Sequence, residues 1–226
     1  QKADITRLKA KALRMRGEQN RKQKDIIPPQ KKVTNQALKA TQLGTLIQVK
    51  ALFADNKIDD AIMLLEGLEN ASAQKVRNSL LKIKNLLPHA LEQHRQKRAG
   101  AALKMLNQIY SHTLELADPE SPFALNIRQK IADMHCLSAI QNSLSSDLPA
   151  AFNNLNAALH TFPQHRLAQR KMQELTEKAN KLLYQAEQEM EKNPEMARKY
   201  FTTVVQISSA ESTLHQKAKA ALEKLP

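Results

Sequence analysis

Four alanines, each standing early in a stretch of helical apolar periodicity, limit what this chain can fold into. Ala61 lies in "NKIDDAIMLL", Ala102 in "QKRAGAALKML", Ala151 in "SSDLPAAFNNL" and Ala197 in "KNPEMARKYF". Four residues further on stand Leu65, Leu106, Leu155 and Phe201, and seven further on Leu68, Ile109, Ala158 and Val204. Steps of four and three fall on one face of a helix, so each stretch predicts a helix with one apolar stripe that opens on a small residue. Between these stretches lie breaks of a second kind, "ENASAQ", "ADPESP", "HTFPQH" and "SSAES". Two kinds of break in alternation are the signature of stacked helical hairpins, a first and a second helix in turn. The alanines are separated by 41, 49 and 46 residues, a loose repeat.

Local signals agree. Asn193-Pro194 and Ser121-Pro122 each put a side-chain acceptor ahead of a proline in a first turn. Ser208-Ser209-Ala210-Glu211 has the spacing of a capping box and predicts a helix start at Ser208. Ser72 opens a stretch in which Val76, Leu80, Ile83 and Leu87 share a face. Residues 164–193 predict the longest helix, with a seam of Ala168, Met172, Leu175, Ala179, Leu182 and Ala186. A packed core stripe is the favoured reading of that seam, ahead of a homodimer contact. The last helix sets Leu214, Ala218, Ala221 and Leu225 on one side and Lys217, Lys219 and Lys224 on others, as the end of a repeat array needs. Good helix formers dominate the composition, with 4 glycines and no tryptophan. The expected fold is therefore all-α, a superhelical solenoid of about four hairpins over residues 35–226. It follows a basic helix and a proline-containing linker over residues 1–34.

The pattern of Ala, a bulky residue four on and a small or apolar residue seven on resembles the second helix of tetratricopeptide repeats. The third unit carries it furthest, with Ala151, Leu155, Ala158 and then Pro163. The resemblance covers roughly residues 35–225. The first helices lack that family's Trp-Leu-Gly-Tyr spacing, so no ligand-clamping residues carry over. The resemblance implies a right-handed superhelix whose concave groove takes a peptide or helix of a protein partner.

Charge divides the chain. Residues 1–50 hold 13 Lys and Arg against Asp4, Glu18 and Asp25, a net of +10. The remainder holds 22 against 19, a net of +3. Lys9, Lys11, Arg14, Arg16, Arg21, Lys22, Lys24, Lys31 and Lys32 form the densest basic stretch. It reads either as a solubilising linker or as a contact for an anionic membrane surface or nucleic acid. No aromatic residue interleaves these charges, so base stacking is not indicated. Within residues 3–32, Ile5, Leu8, Ala12 and Met15 share a helical face before Gly17, and Pro28-Pro29 ends any regular helix.

Little in the sequence suggests chemistry. His89 and His94 are five apart and do not share a helix face, and the His-Glu-x-x-His spacing is absent. His135 and Cys136 are adjacent and would point apart on a helix, which leaves Cys136 a small core residue. There is no glycine-rich phosphate loop. The expectation is a non-enzymatic scaffold without cofactor or metal. A single cysteine fits a cytoplasmic setting. The chain opens on Gln1 rather than Met, which reads as a fragment or processed product, with a preceding tether as an alternative setting.

Overall fold

The computed structural model describes residues 35–225, and side chains from Leu43 onward. The basic stretch of residues 9–32 lies outside the described residues. Helices run in chain order as α1 (Asn35–Ala54), α2 (Ile58–Leu64), α3 (Ala71–Arg95), α4 (Ala99–Leu116), α5 (Pro122–Leu144), α6 (Leu148–Thr161), α7 (Arg166–Glu189), α8 (Pro194–Gln206) and α9 (Thr213–Leu222). No strand occurs among the described residues. Gly44–Pro226 forms one compact unit. Its most extensive interfaces join α3 to α4, α5 to α6 and α7 to α8, and each of these pairs also packs on the next. The protein is thus an all-α array of neighbouring helix pairs, with α9 closing the C-terminal end against α8.

Each of the four alanines is the fourth residue of a second helix, and all four are fully buried. In every case the alanine N–H donates to the carbonyl of the residue preceding the helix: Lys57, Arg98, Asp147 and Asn193, each at 3.0 Å. Leu65, Leu106, Leu155 and Phe201 are buried behind them. In the first unit the seven-on equivalence fails. α2 stops at Leu64, the chain turns at Gly67 with φ 85°, and Leu68 is only half-buried. The other three, Ile109, Ala158 and Val204, lie in helices and are fully buried.

The first three hairpins share one turn. Asn56, Lys97 and Ser146 adopt left-handed backbone with φ of 63°, 57° and 65°. Their N–H groups donate to Phe53, His94 and Ser143 carbonyls, and the next residues' N–H groups donate to Leu52, Gln93 and Asn142. Paired bonds of this kind satisfy the orphan carbonyls at a helix C-terminus and reverse the chain. Glycine is the residue best suited to that backbone, and none of the three turns has one.

Caps place the other boundaries. Asn193 and Ser121 accept from the N–H groups of Met196 and Ala124 as the sequence predicts. Two predicted caps shift. α3 is capped by Asn70, whose Oδ1 accepts from Ala73 N at 2.8 Å, two residues before Ser72. α9 is capped by Ser212, whose Oγ accepts from His215 N, not by Ser208. The Ser208 hydroxyl instead donates to the Val204 carbonyl at 2.6 Å, finishing α8. This competition between backward and forward bonding is open to any serine near a helix end. Helix α7 spans Arg166–Glu189, shorter at both ends than expected and, at 24 residues, not the longest, since α3 has 25; it buries Ala168, Leu175, Ala179, Leu183 and Ala186. Met172 and Leu182 are half-buried and pack at the edges of the core. α3 continues through Pro88, which sits on the exposed face of the helix.

Two predictions follow from this packing. Leu155→Ala should cost roughly 2–4 kcal/mol in a denaturant titration, because the side chain is buried between α6 and its neighbours. A loss no greater than that of an exposed control such as Gln216→Ala would show the second-helix stripe to be misassigned. Lys97→Gly should raise stability by about 1 kcal/mol by relieving the left-handed turn, and Lys97→Val should lower it. Paired melting curves with the signs reversed would rule out the turn geometry.

Candidate binding groove

Three successive first helices converge near the N-terminal end of the compact unit. Phe53, at the end of α1, packs on Phe123, at the start of α5, with ring centroids 4.7 Å apart and planes tilted by 54°. This tilted contact avoids the face-to-face sandwich that aromatic quadrupoles disfavour. It ties the first hairpin to the third. α3 passes alongside with Leu87 and Leu91, and the three helices with the α1–α2 turn enclose a groove of about 620 Å³. Buried Phe123 and Ile127 form its floor. Asn126 and Lys130 of α5 and Asp55, Asn56 and Lys57 of the turn supply its polar edge. A smaller groove of about 230 Å³ opens where the α5–α6 turn meets α7. There Leu144 is 83% exposed and Lys171 and Lys178 line the edge. Both grooves pair an apolar base with two lysines.

One turn beyond Leu91 and Lys130, the same two helices are joined by a polar knot that sequence reasoning missed. Asp133 of α5 receives His94 Nε2 at 3.2 Å and His165 Nε2 at 2.9 Å on its two carboxylate oxygens. His165 is 7% exposed and is also the cap of α7, its Nδ1 accepting from Ala168 N at 3.0 Å. An Nδ1 that accepts leaves the proton on Nε2, which therefore donates to Asp133. A carboxylate only accepts, so His94 Nε2–H donates as well. Asp133 thus holds three consecutive hairpins together. The nitrogen that would have to bind a metal carries the proton, and the other is taken by the helix cap. Among the described residues no three His, Cys, Asp or Glu side chains are arranged to hold a metal ion.

Other predicted positions resolve simply. Cys136 is buried, and its thiol is pushed up by burial, with the Asp133 charge adding to the effect. A thiol held protonated in this way is a poor nucleophile. His135 turns away from it, with Nδ1 3.2 Å from Asn154 Oδ1. The nine basic residues from Lys9 to Lys32 lie outside the described residues. No helix among the described residues is long and apolar enough to cross a membrane. No family model, no curated protein and no solved structure matches the chain.

The knot is testable through stability. Asp133→Ala should cost about 1–3 kcal/mol, since it leaves the buried His165 N–H without an acceptor. His165→Asn should cost less than His165→Ala, because asparagine retains a capping acceptor. Equal denaturant midpoints for the two His165 variants would show that the cap contributes nothing.

Proposed function

We propose that this protein is a non-enzymatic protein–protein interaction scaffold, a tetratricopeptide-like helical-repeat domain working within a larger chain. The observation that carries this reading is the groove between α1, α3 and α5: apolar at its base, polar at its edge and built from successive repeats. Stacked hairpins suit such a role because each adds surface to a continuous face. Open grooves that accept helices or extended peptides are a recurring mode of recognition. Among the described residues the groove is lined by no histidine, cysteine or serine that would act as base or nucleophile. A cytoplasmic setting goes with this reading, supported by the single, buried Cys136. The test is a photo-crosslinking side chain placed at Asn126, compared with one at exposed Gln216 on α9. A discrete protein adduct specific to Asn126 is expected, and identical adduct patterns would defeat the reading.

A second reading rests on the charge division. With +10 in residues 1–50 and +3 in the rest, polyanion affinity would belong to Lys9, Lys11, Arg14, Arg16, Arg21, Lys22, Lys24, Lys31 and Lys32. Each basic residue near an anionic membrane surface contributes about 1 kcal/mol. Binding to anionic vesicles or RNA should therefore fall by at least about an order of magnitude between low and moderate salt. It should disappear when these nine residues are replaced by glutamine. Undiminished binding by that variant would remove the electrostatic arm and leave the scaffold reading untouched.

A further inference from the structure

We propose that the groove between α1, α3 and α5 takes the apolar face of a short acidic amphipathic segment of a partner protein. This rests on the scaffold reading above and gives it a site and a partner chemistry. The groove is backed by buried Phe123 and Ile127, and its apolar wall is half-buried Leu87 with Leu91, which remains 37% exposed. A volume of about 620 Å³ holds several bulky side chains, as one face of two helical turns would present.

Charge selects the sign of the partner. Lys57 and Lys130 line the groove, and neither has a carboxylate within ion-pair distance among the described residues. Asp55 is the one carboxylate on the lining, so cations exceed anions there. The smaller groove at the α5–α6 turn carries the same excess. Its Lys171 is matched by Glu174 at 2.6 Å, while Lys178 has no such partner among the described residues. Cationic edges over apolar bases favour a ligand whose apolar stripe is bordered by Asp or Glu, and they penalise one bordered by Lys or Arg.

The experiment uses the full chain and two fluorescent helical peptides of about 16 residues with leucine at the same i, i+3, i+4 and i+7 positions. One peptide carries glutamate and the other lysine at the bordering positions. The glutamate peptide should bind at least about tenfold more tightly by fluorescence anisotropy at moderate salt. The paired substitution Lys57→Glu and Lys130→Glu should reverse that preference. Asn126→Trp, on the exposed edge, should block the groove and weaken binding of the glutamate peptide at unchanged melting temperature. The same titration on a chain with residues Lys9 to Lys32 neutralised separates the groove from the basic stretch. A preference that vanishes with that neutralisation and ignores Lys57 and Lys130 overturns the proposal. Binding of the lysine peptide alone, blocked by Asn126→Trp, overturns the acidic chemistry while the groove remains a protein-binding site. Binding of neither peptide overturns the groove as a docking surface.

Discussion

Close helix approach at a single small residue is the constraint on which this array depends. Ala61, Ala102, Ala151 and Ala197 are all fully buried, one turn into their helices. A larger side chain there would push the second helix away from its neighbours, and a densely packed interior gives no room for such a shift without loss elsewhere. The chain spends a fixed backbone device to keep the alanine in register. In the first three hairpins a left-handed residue stands five positions before it, so the turn and the contact are set together. The fourth hairpin reaches the same N–H to carbonyl bond through Asn193-Pro194 and does without left-handed backbone. The contact is thus retained where the turn is not.

The second helices were legible because their signal is local. Alanine, then a bulky residue, then an apolar one, follows from helix periodicity alone, and three of the four units keep it inside the helix. The first helices carry an equally regular signal that was not read. Val49, Ala90 and Ala139 stand twelve residues before the second-helix alanines, and Ala186 stands eleven before, all of them buried. A small or compact residue on each side of the turn is what two helices need to approach closely. The spacing is hard to see in the sequence because it links residues on opposite sides of a turn, where no single helix period applies. Boundaries were less secure. Ser208 and Ser72 are each good cap residues by type, yet Ser212 and Asn70 hold the caps, because a run of serines or of Asn-Ala-Ser offers several acceptors and tertiary packing chooses among them.

The candidate site was almost invisible for a physical reason. Its parts are far apart in sequence: His94 and Asp133 are separated by 39 residues, Asp133 and His165 by 32. Neither separation matches a helix period, so no local pattern links them. They meet because tertiary packing sets the end of α3 and the start of α7 both against the middle of α5. The end of α1 likewise meets the start of α5 at Phe53 and Phe123, beside the groove. Repeat lengths of 41 and 49 residues give first helices of 25 and 23 residues, longer than their partners of 18 and 14.

The knot connects stability to binding. A polar knot between helices costs desolvation of a carboxylate and two imidazoles, and it returns a net benefit only when every donor has its acceptor. Here both imidazole N–H groups end on Asp133, and the remaining nitrogen of His165 takes a helix N–H, so the penalty is met at the point of greatest burial. The knot lies one helical turn from Leu91 and Lys130. It therefore fixes the spacing of α3 and α5 next to the end of the groove that Leu91 and Lys130 line. An apolar contact in that position would be free to close over the groove by sliding. The directional bond from His94 to Asp133 resists sliding of α3 on α5, while His165 fixes the same carboxylate from α7, and a groove held open in this way presents a surface whose shape is set before any partner arrives.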